Sequence, residues 1–261
     1  MTIGFLGFGH MGQMIALRLR ADSASQKILF LNQHPKKTAL LAKKHHFTRA
    51  TSIADLIQKS EIIFICVKPQ NLNEVLSKIK TTKHKTFITI VAAIPTTHYY
   101  QTLGPIELIW AMPSIVNTYG GALPTVRGRY VRASTWKVAQ KVLSSIATVT
   151  PIKESDMAVT TLITGCSTTL IAEFARLLLE AITSLHPLNK TIATKLLLAT
   201  LIASPKLVED KGFALIDEAC TAGGITEQGV KIMRAHQDTF FQALAERLLT
   251  RTEELRKTYG A

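Results

Sequence analysis

The chain has 261 residues, 47% of them hydrophobic, which is long enough for one large domain or two modest ones and apolar enough for a buried core. Its three cysteines exclude a disulfide scaffold and favour a reducing, cytoplasmic location, and no uninterrupted apolar run approaches the roughly 18–20 residues of a membrane helix. The formal net charge of +13 is uneven, with 19 Lys and Arg against 5 Asp and Glu in residues 1–150, and 12 against 13 in residues 151–261. The basic first part predicts an anionic partner, such as a phosphate-bearing cofactor, although a solvated basic surface explains it equally well.

The first part alternates short apolar runs with helix-like segments. This alternation predicts βαβ units and a parallel sheet. Residues 62–67 are almost all Ile, Phe and Val, as in a strand that is buried on both faces. The predicted strands are 3–7, 27–31, 62–67, 86–91, 107–111 and 148–150, and the predicted helices are 11–20, 36–44, 53–59, 72–79 and 133–147.

After Pro151 the strand signals stop. Apolar residues recur at helical spacing from Met157 to Leu185, and Pro187 and Pro205 are predicted to bound a helix from Asn189 to Ala203. A polar-faced helix is predicted over residues 236–258. We therefore predict an α/β chain in which an N-terminal Rossmann-type parallel-sheet domain, residues 1–152, binds a dinucleotide. An all-helical domain, residues 153–261, is predicted to follow it and to bind the substrate and a second subunit.

A Gly-x-Gly-x-x-Gly pattern follows the first predicted strand and opens the first predicted helix. That context is typical of a dinucleotide-binding turn. Gly7 would permit the tight turn, Gly9 would let a pyrophosphate approach the backbone, and Gly12 would let the helix pack closely on the strand. His10 and Met11 open the helix, whose free N–H groups favour phosphate. We predict that these five residues contact a nicotinamide cofactor; the alternative is a glycine-rich turn without a ligand.

The end of the second predicted strand selects the cofactor in such folds, because a carboxylate there binds the adenosine ribose of NAD. The chain has Asn32 and Gln33 at this point, followed by Lys36 and Lys37. The missing carboxylate and the lysine pair favour NADPH over NADH, although lysines that open a helix are commonly only solvated. Asn32, Gln33 and Lys36 are predicted to contact the cofactor.

A second contact is predicted after the buried strand 62–67. Val67, Lys68 and Pro69 follow that strand at the carboxyl edge of the sheet, where open α/β sheets bind ligands. Pro69 would fix the turn and Lys68 would face the cofactor. The alternative is a lysine at a strand end that reaches solvent.

Six segments, in order and over almost the whole chain, are similar to motifs of the pyrroline-5-carboxylate reductase family. VKPQ and the Gly-Gly-x-Thr segment are the most specific of them. In this chain they read GFLGFGHMG at 4–12, Asn32…Pro35, VKPQ at 67–70, AMPS at 111–114, AVT at 158–160 and DEACTAGGIT at 217–226.

The resemblance implies a Rossmann domain followed by a helical domain that interlocks into dimers. It implies reduction of the C=N bond of a cyclic imino acid, pyrroline-5-carboxylate, to proline by NADPH or NADH. Carried over by position, Thr226 would be catalytic, hydrogen-bonding the imine nitrogen and supplying a proton, while Thr221, Gly223 and Gly224 would hold the substrate carboxylate. The alternative role for Thr226 is to cap the helix that runs toward Met233.

Departures from the family pattern leave two alternatives open. The family segment GSGPAY falls on residues 164–169, where its proline and tyrosine are absent, and the asparagines of two other motifs are His10 and Ser114. The chain would then be a dinucleotide-binding relative without turnover, with a regulatory or structural role. A β-hydroxyacid-type dehydrogenase shares the two-domain plan but places a catalytic lysine on the first long helix of its second domain. There is no lysine between Asp156 and Ser184.

The remaining sequence features bear on partners. The basic clusters at 36–49 and 78–85 contain only Phe47 as an aromatic residue, which does not favour nucleic-acid binding. The histidines show no metal-ligand spacing, so no metal site is predicted. The helices of the second part have more apolar surface than they can bury against each other, which predicts at least a homodimer. The residues concerned include Ile163, Leu170, Leu177, Leu197 and Leu201.

Overall fold

The computed structural model describes residues 1–33, 35–80 and 84–259, without the side chains of residues 35–38 and of Leu41. By packing, the chain divides into two compact units: residues 1–166 together with the residues from Leu249 onward, and residues 167–248. The ring of Tyr259 packs against a buried apolar cluster of the first unit. The predicted domain boundary between residues 152 and 153 stays a prediction.

The first unit is built on an eight-stranded sheet whose order is β3-β2-β1-β4-β5-β6-β7-β8. Neighbouring strands are parallel, except that β7 runs antiparallel to β6. Six of the strands follow the order 3-2-1-4-5-6 of dinucleotide-binding folds. The Rossmann-type fold predicted from the sequence is confirmed. The strands are β1 Thr2–Leu6, β2 Lys27–Leu31, β3 Thr48–Arg49, β4 Ile62–Ile65, β5 Thr86–Thr89, β6 Glu107–Ala111, β7 Ala122–Arg127 and β8 Thr148–Pro151.

Helices connect the strands of this unit. The five helices predicted in this part lie within a few residues of their expected positions. The strands β3 and β7 and the helix Thr96–Leu103 have no counterpart in the sequence-based prediction. The helices are α1 His10–Asp22, α2 Pro35–His45, α3 Ile53–Lys59, α4 Leu72–Ser77, α5 Thr96–Leu103, α6 Ala133–Ser144 and α7 Met157–Thr161.

Strand β4 shows why the sheet forms. All four of its residues are buried, and they alternate between two apolar clusters, since Ile62 and Phe64 belong to one and Ile63 and Ile65 to the other. The ring of Phe64 stacks on that of Phe5 in β1, with 5.0 Å between the ring centroids. A strand covered on both faces needs apolar side chains at every position, and this pattern is what the sequence has.

The second unit is helical, as predicted. The predicted end of the helix from Asn189 to Ala203 is wrong, because the helix continues through Pro205 to Lys211. Pro205 has no N–H, so the helix loses one backbone hydrogen bond where it passes through this exposed residue. The helices are α8 Ser167–Leu185, α9 Lys190–Lys211, α10 Leu215–Ala219, α11 Ile225–Ala235 and α12 Ala243–Tyr259, the last of which runs on beyond the unit.

One turn of π-helix, Leu162–Cys166, lies between α7 and α8 and interrupts the long helix predicted over residues 157–185. The hydroxyl of Thr164 donates a hydrogen bond of 2.9 Å to the carbonyl of Thr160. The segment that departs from the family motif, residues 164–169, begins in this turn. Single π-turns within helices occur frequently at functional sites.

Glu107 is hydrogen-bonded to Arg132, the N-cap residue of α6. Its carboxylate accepts hydrogen bonds from the Arg132 backbone N–H at 3.0 Å and from the Arg132 guanidinium Nη2 at 2.9 Å. Burial alone would raise the pKa of this carboxyl, but the hydrogen bonds from Arg132 and Thr135 outweigh burial and hold the pKa at about 2.

We expect this pair to make stability depend on pH. Because the folded pKa lies below the ordinary value near 4.5, ionised Glu107 stabilises the fold above that pH, and the stabilisation is lost as the pH falls toward 2. Glu107→Gln is expected to lower the free energy of unfolding by about 1 kcal/mol at neutral pH. Urea unfolding should show the difference from the unsubstituted protein shrinking at about pH 3.

The control is Glu209→Gln, which changes an exposed carboxylate without an ion pair in the described part of the chain. This variant should unfold like the unsubstituted protein at both pH values. If Glu107→Gln lowers the free energy of unfolding by the same amount at neutral pH and at about pH 3, the assignment is contradicted.

Candidate functional site

The turn between β1 and α1 requires glycine at its first position. Gly7 has φ +86°, in the left-handed region that favours glycine, and its N–H donates to the Leu31 carbonyl at 2.9 Å. A Cβ on Gly7 would lie 2.7 Å from the carbonyl oxygen of Cys66. The first glycine of the pattern therefore allows both the turn and the close approach of the segment that follows β4.

Gly12 and Gly9 meet different needs. A Cβ on Gly12 would lie 3.0 Å from the Gly7 carbonyl oxygen, so α1 can pack closely on the turn only without a side chain there. A Cβ on Gly9, by contrast, would have no protein atom within 4 Å. Open space over a backbone that has no side chain is what a pyrophosphate needs in order to approach it.

The N-terminus of α1 is free to accept an anion. Its N-cap is Gly9, no side chain caps it, and its first turn contains no acidic residue. The first-turn N–H groups and the helix dipole favour a negative group at this end. The Gln13 amide donates to the Phe8 carbonyl at 3.0 Å and fixes the turn from within the helix.

A groove of about 600 Å³ opens beside the turn. It lies at the carboxyl ends of β1, β2 and β4, where open α/β sheets bind their ligands. Its lining residues are Leu6, Gly7, Phe8, Gly9, Leu31, Asn32, Gln33, Ile53, Cys66, Val67, Lys68, Asn71, Glu74, Val75 and Lys78.

The structure brings together most of the residues predicted to contact the cofactor. Those that line the groove are Gly7, Gly9, Asn32, Gln33, Val67 and Lys68. Those beside it are His10, Met11 and Gly12 in the first turn of α1, and Pro69, which begins a short 3-10 helix after Lys68. The predicted contact of Lys36 concerns a side chain that lies outside the described residues.

Helix α4 and the residues on either side of it supply a wall that the sequence analysis does not anticipate. Asn71, Glu74, Val75 and Lys78 all line the groove. Their spacing of three, four and seven residues places them on one helical face, and this periodicity is the signal that could have identified them.

Cys66 lies under the turn. Burial raises the pKa of its thiol, which is therefore neutral at physiological pH. We interpret it as a small apolar contact in the wall of the groove.

In the second unit, the loop before α11 carries the residues predicted to hold the substrate. Gly223 has φ +75°, and a Cβ on Gly224 would overlap the Thr221 hydroxyl. The Gly223 N–H donates to the Glu227 carboxylate at 2.9 Å, and the Gly224 N–H donates to the Thr221 carbonyl at 2.8 Å. Both N–H groups expected to receive the substrate carboxylate are therefore already hydrogen-bonded within the chain.

Thr226 is the second residue of α11. The N-cap of this helix is Gly224, so the alternative role of Thr226 as a helix cap is wrong. Its side chain is exposed, and its hydroxyl has no hydrogen-bond partner among the residues that the structure describes. Within those residues, no group of three or more His, Cys, Asp or Glu side chains is arranged to hold a metal ion.

Two family models match the chain. Residues 2–93 match the model described as NADP oxidoreductase coenzyme F420-dependent, and residues 154–255 match the model described as pyrroline-5-carboxylate reductase dimerisation.

Similar proteins cover most of the chain. ComE operon protein 4 of Bacillus subtilis is 23% identical over 97% of this chain and 96% of its own length. The pyrroline-5-carboxylate reductase of Corynebacterium melassecola is 24% identical over 81% of each chain. Among solved structures, Plasmodium falciparum pyrroline carboxylate reductase with NADP bound has a TM-score of 0.85 and 23% identity, covering 100% of this chain and 98% of its own.

The fold, the glycine turn and the first family model define an oxidoreductase with a Rossmann domain followed by a helical region. The dimerisation model and the full-length relatives narrow this class. Over most of its length the chain is similar to pyrroline-5-carboxylate reductases, and its residues 154–255 match their dimerisation model.

Two helical stretches, Glu154–Leu185 and Lys190–Ala219, are long and apolar enough to cross a membrane by length and composition alone. The first contains an ion-pair network in which Arg176 contacts Glu173 at 2.6 Å and Glu180 at 2.7 Å. Charges in the middle of a helix are costly in hydrocarbon, so these stretches are weak evidence for a membrane span.

Proposed function

We propose that the chain is an NAD(P)H-dependent reductase that converts pyrroline-5-carboxylate to proline in the cytoplasm. The observation that carries the proposal is the glycine turn at the groove, where Gly7 and Gly12 have no room for a side chain and Gly9 borders open space. The similarity to pyrroline-5-carboxylate reductases supports the choice of a cyclic imino acid as the substrate.

The cofactor would lie along the groove with its pyrophosphate at Gly9 and the N-terminus of α1. Asn32, Gln33 and Lys68 would contact its adenosine half. The NADP in the Plasmodium falciparum relative supports NADPH as the cofactor. When bound, the cofactor supplies the hydride, and the protein supplies binding, orientation and protons.

Thr226 would act on the imine nitrogen. Hydride addition to the imine carbon makes this nitrogen basic, and a hydroxyl can donate a hydrogen bond to it and exchange its proton with water. The Thr226 hydroxyl has no partner in the described chain and is therefore free to do so. Thr221, Gly223 and Gly224 would shape the loop that receives the substrate.

The reaction itself is tested by a steady-state assay. We expect pyrroline-5-carboxylate to be reduced with stoichiometric oxidation of NADPH, followed by nicotinamide absorbance and by proline determination. A titration should show binding of the reduced cofactor without substrate. Binding without turnover would favour the alternative of a regulatory or structural relative, and absence of both would contradict the proposal.

We further propose that the second unit forms a homodimer. Its helices expose many large apolar side chains, and the match to the dimerisation model covers them. Examples are Ile171, Phe174, Leu177, Ile182, Ile192, Leu196 and Ile202.

Light scattering at micromolar protein is expected to give at least the mass of a dimer. Ile182→Glu, which places a charge on an apolar position of α8, should shift the mass toward the monomer because an unpaired charge is costly in an interface. Ser184→Glu, at an exposed polar position of the same helix, is the matched control and should remain dimeric. A monomeric mass for the unsubstituted protein would refute the dimer.

A further inference from the structure

The chain has no carboxylate at the end of β2, yet its groove contains one elsewhere. In Rossmann folds an acidic residue after the second strand binds the ribose hydroxyl of NAD, and a cation nearby accommodates the 2′-phosphate of NADP. Here Asn32 and Gln33 occupy the strand end. Of the lining residues that the structure describes, Glu74 is the acidic one.

Glu74 of α4 is paired with Lys78, the residue that follows the end of this helix. Its Oε1 lies 2.5 Å from the Nζ of Lys78, and more than half of each side chain is exposed. An exposed pair at this spacing contributes little to stability, so its two members can change partners at small cost when a ligand enters. Both residues line the groove together with Asn32 and Gln33.

The apolar part of the same groove fits a nucleoside. Leu31, Ile53, Val67 and Val75 line it, which suits the faces of a base. Among the described lining residues, the polar groups that remain for the sugar are the three amides of Asn32, Gln33 and Asn71, the Lys68 ammonium and the Glu74–Lys78 pair. Among them, this pair alone combines an anionic acceptor for ribose hydroxyls with a cationic donor for a phosphate.

We propose that the Glu74–Lys78 pair on the α4 face sets the choice between NADH and NADPH. Glu74 accepts from the ribose hydroxyls of NADH and disfavours a 2′-phosphate by charge repulsion. Lys78 binds the 2′-phosphate of NADPH and is partly neutralised by Glu74. The pair takes over a selection that is normally made at the end of the second strand, and it predicts a small preference for NADPH. This inference rests on the proposed function for the presence of the cofactor.

The test uses the full-length protein and two fragments of the cofactor, 2′,5′-ADP and 5′-ADP, with dissociation constants from calorimetry. These probes lack the nicotinamide, so the measurement needs neither turnover nor substrate. Lys78→Gln is expected to weaken 2′,5′-ADP binding about tenfold and to leave 5′-ADP binding nearly unchanged. Glu74→Gln should strengthen 2′,5′-ADP binding several-fold and weaken that of 5′-ADP.

The matched control is Lys59→Gln, which breaks the ion pair with Asp55 at the same spacing on α3. Neither residue of that pair lines the groove. An equal effect of Lys59→Gln and Lys78→Gln would reduce the result to net charge and overturn the inference. Thermal melts should show that both groove variants are folded. If the ratio of the dissociation constants for 2′,5′-ADP and 5′-ADP is then unchanged in both, the inference is also overturned.

The two failures are distinguishable. If NADPH and both fragments fail to bind the unsubstituted protein, the proposed function fails and the inference with it. If they bind and pyrroline-5-carboxylate is reduced but the two groove variants keep the parent ratio, only the inference fails.

Discussion

Substitution of Gly9 by valine is expected to lower the affinity for NADPH at least about 100-fold, which corresponds to about 2.7 kcal/mol. The melting temperature should fall only slightly, because valine is a poorer N-cap residue than glycine. The reason for the loss of affinity is the open space over this residue. A Cβ on Gly9 meets no protein atom within 4 Å, and the backbone there is extended, with φ −76° and ψ −164°. The valine side chain would occupy only the volume that the pyrophosphate needs.

A graded series sharpens this prediction. Gly9→Ala should weaken cofactor binding less than Gly9→Val, because it fills less of the space. Gly7→Ala is the contrasting control, since its Cβ would lie 2.7 Å from the Cys66 carbonyl at a φ of +86°, and it should lower the melting temperature itself. Fluorescence titration and thermal melts of the three variants separate the two effects. Tight NADPH binding by the Gly9→Val variant would contradict the assignment of this turn as the cofactor site.

Removal of the Thr226 hydroxyl is expected to lower turnover about 100-fold, the low end for a proton-transfer group. Cofactor affinity should be unchanged. Thr226→Ser keeps the hydroxyl and should keep most of the activity. Because the hydroxyl has no partner in the described chain and the helix is capped at Gly224, Thr226→Ala should change the free energy of unfolding by less than about 0.5 kcal/mol.

Thr191 offers a matched control for this substitution. It too is the second residue of a helix, α9, which is capped by Asn189, and its side chain is exposed. Thr191→Ala should be as stable as Thr226→Ala and fully active. Steady-state kinetics and urea unfolding of the three variants decide the matter, and full turnover in Thr226→Ala would remove Thr226 from the mechanism.

The glycine turn was predictable because its requirements are local. Gly7 is required by its own backbone conformation, and both Gly7 and Gly12 are required by the chain that packs against them. The pattern of three glycines after an apolar run indicates both the tight turn and the close packing. Strand β4 was predictable for a similar reason, because burial on both faces leaves an apolar residue at every position.

The helix α5 was not predictable, because tertiary contacts stabilise it. Its sequence consists largely of threonine, tyrosine and histidine, which are poor helix formers. Tyr99 is fully buried and its hydroxyl lies 2.6 Å from that of Thr89, while the Glu154 carboxylate accepts from the Thr96 N–H at 2.7 Å. The hydrogen-bond partners of α5, Thr89 and Glu154, lie outside the helix, so the sequence of the helix alone does not indicate them.

The strand β7 and the α4 wall of the groove were missed for related reasons. Proline in a sequence normally indicates a break in a strand, and Pro124 lies in the middle of β7. Its carbonyl nevertheless accepts a hydrogen bond from the Met112 N–H at 2.9 Å, so the strand lacks only the hydrogen bond that an N–H at this position would donate. The α4 residues reach the groove because Leu72 and Leu76 of this helix share a buried cluster with Ile63 and Ile65 of β4. The helical spacing of the lining residues is visible in the sequence, but the packing that turns this face toward the groove is not.

The return of the last helix to the first unit bears on how the protein is made. Residues from Leu249 onward belong to the sheet unit, and Tyr259 packs against the cluster that contains Phe87 and Tyr99. A ribosome delivers this segment only after the whole helical unit has been synthesised. The sheet unit therefore cannot complete its packing around Tyr259 until the helical unit has been synthesised, although its strands are translated first.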